Sequence, residues 1–417
     1  MIPRPQTTTT PRLAILHPLL LVAAVLIPWP QDWATARAVM DRLRSPATSA
    51  TEKDADGRSA GYYVELVEGH GRRSSHHGRT DRTVGFHEAE VIQYLDNDFL
   101  LFELKPEAHR TLFGRPFITN AYGMHDYPVV PEKSEGTFRI AVLGASMDMG
   151  WGVRSEETYI HRLEERLNAV SAGKPGRPRR YEVLNFAVAA YSPLQRLEAL
   201  RRKVMRFEPD LVIYSATTLD IRLMEIHLCD LIRQRVDLKY DFVREAVAHC
   251  GLTDDDGRLD DQGMLVNKPT LKRKLRPSYW WLYDQTLGAI AAECRSAGVP
   301  LAMIIIPRVG PEDAPSARAE PVARLSAMAA HHAIPALNLS GTFDRDDPAA
   351  LAVADGDDHP NAIGHERLFE ALIQAIAADP RLSRLVPCGT LQNDGDRPDG
   401  RNSTHPQQPK MEFSELP

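Results

Sequence analysis

In the run FRIAVLGASMDMGWGV, residues 138 to 153, an apolar stretch ends at Gly144 and delivers Ser146 onto a tight turn. A serine hydroxyl attacks an acyl carbonyl only when a neighbouring base takes its proton. A candidate base stands far downstream, His359 in ADGDDHPNAIGH, with Asp355, Asp357 and Asp358 just before it. Pro360 limits the backbone behind the histidine, and Gly364 permits a close turn into a helix. An imidazole can accept the serine proton near neutral pH, and a carboxylate can orient the ring and stabilise its charged form. Both segments also have plainer readings. A serine close after a glycine is an ordinary turn composition, and the aspartates suit a solvent-facing acidic turn. A calcium helix-loop-helix site would need a fuller ligand spacing than this one.

Such a pair needs a scaffold that brings it together, and from Phe138 onward the chain alternates short β-rich runs with longer helical ones. FRIAVLG, YEVLNFAV, DLVIYSA, PLAMIIIP and PALNLS read as strands. Between and after them, residues 156–170, 194–207, 228–248, the run YWWLYDQTLGAIAAECRSAG, 317–331 and 362–378 read as helices. The polar stretch 251–277 is expected to be an exposed insertion. This alternation predicts an α/β three-layer sandwich with a mainly parallel central sheet. Ligand sites in such folds lie beyond the carboxyl ends of the strands. Asp148, Thr217, Thr218, Arg222, His227 and Arg308 all follow strand ends. Asp148 is placed to cap a helix, Arg222 and Arg308 could meet an anion, and His227 could line the same pocket or sit partly buried.

The formal net charge of −6 gives no global electrostatic footprint for nucleic acid. The basic runs RLEALRRKVMR and KPTLKRKLR read as solvated helix and loop faces. At the N-terminus, Arg4 and Arg12 precede an apolar run from Leu13 to Ile27, then Trp29, Trp33 and the small residues Ala34, Thr35 and Ala36. Residues 1–36 are therefore expected to act as an export signal or membrane anchor, placing the remainder outside the cytoplasm. Residues 37–137 read as a juxtamembrane linker and lead-in packing on the domain edge, 138–380 as the α/β domain, and 391–417 as a disordered tail. His76 and His77 in the linker need no metal to explain them. Cys229, Cys250, Cys294 and Cys388 lack zinc-site spacing; outside the cytoplasm they are compatible with one or two disulfides.

The ordered segments GASMDMGWGV, EVLNFAVAAYSPLQ, PDLVIYSATTLDI and DDHPNAIGH resemble the four blocks of the SGNH, or GDSL-like, hydrolases, most closely their membrane-associated bacterial branch. The likeness spans about residues 115–380. It implies Ser146 as nucleophile, its backbone N–H as part of an oxyanion hole, and His359 as general base. It implies no metal or organic cofactor, and a substrate such as an O-acylated carbohydrate or small ester, with esterase or acyltransferase chemistry. The family acid usually stands three residues before the histidine, where this chain has Gly356; Asp357 is the favoured acid and Asp355 the alternative. The glycine of the second block corresponds to Ala190, and the asparagine of the third to Leu219, which cannot donate a side-chain hydrogen bond. Thr218, Tyr191 or a backbone amide would have to replace it, or the chain is an impaired, binding member of the family.

Overall fold

The computed structural model describes residues 90–261 and 263–388. It opens on two antiparallel hairpins, β1 (Ile92–Tyr94) with β2 (Phe102–Leu104), and β3 (His109–Leu112) with β4 (Arg115–Ile118). β5 (Thr137–Leu143), β6 (Arg180–Asn185), β7 (Leu211–Ala216), β8 (Leu301–Ile305) and β9 (Ala336–Asn338) then form one parallel sheet in the order β6-β5-β7-β8-β9.

Both faces of this sheet are covered, which is why its strands are apolar without interruption. Ile140 and Val142 of β5 point to one side, with Ile213 and Ile304 of the neighbouring strands. There they meet α2 (Tyr159–Ser171) through Leu163 and Leu167, and α10 (Ala362–Ala378) through Leu368 and Leu372. Ala141 and Leu143 point to the other side, with Tyr214 and Met303. That face meets α3 (Pro193–Arg202), α4 (Asp220–Gln234) and α7 (Tyr279–Ser296) through Leu197, Leu223 and Leu287. The architecture is the expected three-layer α/β sandwich. Because the chain steps from β5 to β6 on one side and then returns to β7 on the other, the strand order reverses between β5 and β7, and ligand sites of such sheets lie past the carboxyl ends of strands at that point. Ser146 opens the short helix α1 (Ser146–Met149) just past the end of β5.

Three expectations need correction. Residues 91–124 are more than an edge lead-in: Phe99, Leu101, Phe102 and Leu104 are buried in the main core. Their carbonyls serve later elements, since Gln195 Nε2 donates to Leu100 O at 2.6 Å and Tyr191 Oη to Phe102 O at 2.8 Å. The helical region 228–248 divides at Arg235, which is left-handed at φ +54°, into α4 and α5 (Asp241–His249). The 251–277 stretch is only partly exposed, because α6 (Lys268–Leu275) buries Leu271 and Leu275 while Lys272 reaches Glu225 at 2.9 Å. The four cysteines, which the sequence left compatible with one or two disulfides, are all free here, and burial pushes the Cys229, Cys294 and Cys388 thiols up to about 12. Among the described residues, no helix is long and apolar enough to cross a membrane. Residues 1–36, expected to be an export signal or anchor, most of the expected linker with His76 and His77, and the tail 391–417 lie outside the described residues.

Arg196 also departs from expectation. Instead of facing solvent with the rest of its basic run, it is 1% exposed and clamps Asp220 through Nη1 at 3.0 Å and Nη2 at 2.8 Å. Nη1 further donates to Ser215 O at 2.8 Å, and Tyr283 Oη donates to Asp220. The pair joins α3 to the turn between β7 and α4. Removing one partner of such a pair strands the other charge and costs about 3–5 kcal/mol. Arg196→Leu is therefore expected to lower unfolding stability by that amount in urea titrations; a loss within about 0.5 kcal/mol, typical of surface positions, would show that the clamp contributes little.

Candidate active site

The turn after β5 is held by a carboxylate three residues beyond its first cap. Asp148 Oδ2 accepts the Ala145 N–H at 2.9 Å, Oδ1 accepts the Tyr159 hydroxyl at 2.6 Å, and Asn185 Nδ2 donates to Asp148 O at 2.9 Å. Asp148 thus caps, as its position in the sequence suggested. A Cβ at Gly144 would lie 2.1 Å from Asp148 Oδ2, so only glycine fits where the strand enters the turn. Ser146, as the first helical residue, has a backbone N–H without an intrahelical acceptor.

His359 sits on the loop between α9 (Pro348–Leu351) and α10, pinned by Val353 N–H to His359 O at 3.0 Å and Val309 N–H to Asp358 O at 2.9 Å. Asn361 then caps α10 through the N–H groups of Ile363 and Gly364. The loop brings His359 Nε2 to 2.7 Å from Ser146 Oγ. Asp357 Oδ1 lies 2.6 Å from His359 Nδ1 and accepts the His359 backbone N–H at 2.8 Å. The structure therefore assembles Ser146, His359 and Asp357 in one line; Asp355 is exposed and stands outside it. The two-residue spacing works because one oxygen of Asp357 receives both the backbone and ring N–H of the histidine. Asp358 Oδ1 is 3.4 Å from the same Nδ1, while its Oδ2 takes Arg308 Nη1 at 3.1 Å.

Burial alone would disfavour the His359 imidazolium, but Asp357, helped by Asp358, outweighs it and raises the histidine's pKa above its ordinary value. Burial also opposes the Asp357 carboxylate, yet the facing imidazole holds its pKa below the usual carboxylate range. The line is thus polarised to hold a proton arriving at Nε2. Ser146 and His359 are each 1% exposed. Trp151 lies with its ring centroid 5.9 Å from His359, and Phe113 packs edge-on against Trp151 at 5.7 Å. Phe113 and Gly114 form the two-residue tip of the β3–β4 hairpin, both left-handed at φ +51° and +72°.

The remaining candidates divide. Ala190 is left-handed at φ +62°, the conformation that favours glycine and costs an L-residue about 1–2 kcal/mol. Leu219 is the uncapped N-cap of α4, 8% exposed and with no polar side-chain atom to offer. Thr218 does not replace it, since its hydroxyl donates to Asp313 Oδ1 at 2.7 Å. Tyr191 and Thr217 are likewise committed, to Phe102 O and to Asp220. Arg308 is engaged with Asp358 and Glu312, and Arg222 with Glu225. His227 is a core residue whose nitrogens lie 2.9 Å from Ser192 Oγ and 2.8 Å from Phe99 O; burial lowers its pKa to about 4. Sequence reasoning missed Asn185, Trp151 and Asp313. Asn185 and Asp313 follow or end strands, which was the available signal; Trp151 became relevant only through the distant hairpin.

No family model matches the chain, and no curated protein matches it. Several solved structures are similar. One is a catalytic mutant of Axe2, an acetylxylan esterase from Geobacillus stearothermophilus, at 16% identity over 60% of this chain and 98% of that one, TM-score 0.38. TesA is similar at 14% identity over 58% and 99%, TM-score 0.36. A GDSL-like lipase from Bacteroides thetaiotaomicron follows at 14% identity over 59% and 91%, TM-score 0.33.

A base must be neutral to accept a proton, so acyl transfer through Ser146 should fall as pH drops through a His359 pKa above the ordinary 6.5. Asp357→Asn removes the chief raising influence. The pH profile of kcat/KM is expected to show a lower rate and an acid limb moved to lower pH; an unmoved limb would mean that Asp357 does not set the charge of His359.

Proposed function

We propose that this chain is an SGNH-like serine esterase that removes O-acyl groups, in particular O-acetyl groups, from a cell-envelope carbohydrate. The observation that carries the reading is the line Ser146 Oγ, His359 Nε2 at 2.7 Å, and Asp357 Oδ1 at 2.6 Å from Nδ1. The order of the four sequence blocks supports the family, and the charged, apolar and small-residue organisation of residues 1–36 supports work at or outside the inner membrane. The carbohydrate follows from that location and from the resemblance.

In this reading Ser146 Oγ attacks the ester carbonyl as His359 Nε2 takes its proton. The carbonyl oxygen becomes an oxyanion received by the N–H groups of Ser146 and Ala190. As the tetrahedral centre collapses, His359 gives the proton to the departing sugar oxygen, which leaves as a hydroxyl, and an acyl-enzyme remains. Water then attacks the acyl carbonyl, His359 takes its proton, and Ser146 Oγ departs protonated as the acid is released. A second sugar hydroxyl in place of water would make the same site an acyltransferase. Leu219 favours a different reading, in which the site binds an acylated glycan without turning it over.

Wild type and Ser146→Ala should be compared on a small acetyl ester and on O-acetylated polysaccharide, with covalent labelling of Ser146 by a phosphonate. Turnover and labelling that vanish in the variant support the esterase; indistinguishable, background-level turnover from both places the binding reading ahead. One side-chain oxyanion donor is worth about 100- to 1,000-fold in rate. Asparagine is also a favoured N-cap, so Leu219→Asn suits the N-cap position of α4 and is expected to raise kcat toward that range, by at least about tenfold. An unchanged kcat would show that the backbone amides already supply the stabilisation.

A further inference from the structure

Away from this site, a second group of side chains converges between α7 and the end of α8 (Pro315–His331). Asp284 Oδ1 lies 3.2 Å from His331 Nδ1 and 3.0 Å from His332 Nε2, and one donor atom from each residue falls within 4.8 Å of the other two. We propose that Asp284, His331 and His332 form a divalent transition-metal site of the zinc type that staples α7 to α8.

The donor set is two imidazoles and one carboxylate, which suits zinc and its neighbours; calcium and magnesium prefer oxygen. Zinc bonds of about 2.0–2.1 Å in a tetrahedron place ligand atoms roughly 3.3 Å apart, and both contacts to Asp284 Oδ1 are near that spacing. A fourth position would be open to water, because the His331 side chain is 66% exposed. Two further features favour a cation here. His331 is the last residue of α8 and His332 its C-cap, where the helix dipole presents its negative end. In the facing helix, Gly288 stands one turn after Asp284 on the same face. A Cβ there would lie 2.8 Å from His332 Cε1, so glycine lets the ring lie against α7 above Asp284. A helix-interior glycine costs about 1 kcal/mol against alanine, and this one sits where the imidazole must enter.

Without metal, the Nε2–H of His332 can donate to Asp284 O at 2.9 Å. Metal takes the lone pair of Nε2 once the ring proton moves to Nδ1, so the ring stays neutral and no oxidant or reductant is involved.

The test uses the full chain stripped with chelator, titrated with Zn²⁺ by calorimetry and with Co²⁺ by its visible d–d absorption, alongside His331→Ala and Asp284→Asn. His76 and His77 can also bind metal, so the readout is the difference between wild type and variant. Wild type is expected to bind one more equivalent than His331→Ala, with an intense tetrahedral-type Co²⁺ spectrum, and to gain several degrees in Tm with Zn²⁺. His331→Ala should weaken this equivalent by more than the roughly 10- to 100-fold that loss of an outer-shell partner costs, with circular dichroism unchanged because the side chain is exposed. Asp284→Asn tests the carboxylate separately. Equal stoichiometry, affinity and Zn²⁺-dependent Tm in wild type and both variants would overturn the site and leave the three residues as a helix-end hydrogen-bond group. Ester turnover does not enter the measurement.

Discussion

The geometry of the site depends on one buried carboxylate. Asp148 has no exposed surface, and burial pushes its pKa up. Opposing that are the Tyr159 hydroxyl, the Ala145 N–H and the charge of Arg196. With one oxygen it bends the chain at the end of β5, and with the other it ties that bend to the first turn of α2. Its own carbonyl takes Asn185, at the end of the neighbouring strand. Three elements therefore meet at the residue that decides where Ser146 points, and Gly144 is glycine because this carboxylate occupies the space a methyl group would need.

How the site's chemistry is divided follows from that rigidity. Ser146 Oγ and His359 Nε2 are already held within hydrogen-bonding distance, so a proton passing between them needs little rearrangement. Charge stabilisation is less well provided. The turn after β7 is fixed by the Arg196–Asp220 clamp and by Thr218 on Asp313, and it presents an aliphatic side chain where a donor would serve. Ala190 holds a left-handed backbone, so the turn after β6 keeps its form at some cost in strain.

Much of this was legible in the sequence, and the reasons are physical. Strands buried on both faces read as unbroken apolar runs, so β5, β7 and β8 stood out, and with them the strand ends that carry Ser146 and Thr217. Asp357 could be favoured over Asp355 from the motif, but only the loop shows one carboxylate oxygen serving both N–H groups of His359. What stayed hidden depends on long-range packing. Arg196 lies in a basic run and looks solvated until Asp220 is brought beneath it. Leu271 and Leu275 look incidental in a lysine-rich stretch until the helix places both on one side. The early hairpins have strands too short for period-two alternation to register, although their side chains complete the main core.

The Phe113–Gly114 tip bears on where this protein begins as a working unit. A chain cut at Phe138 would keep every strand of the parallel sheet and every member of the proton line. It would lose Phe99 and Phe102 from the core, the Leu100 and Phe102 carbonyls that satisfy Gln195 and Tyr191, and the ring that backs Trp151 over His359. The packing behind His359 therefore draws on residues upstream of the first strand of the sheet.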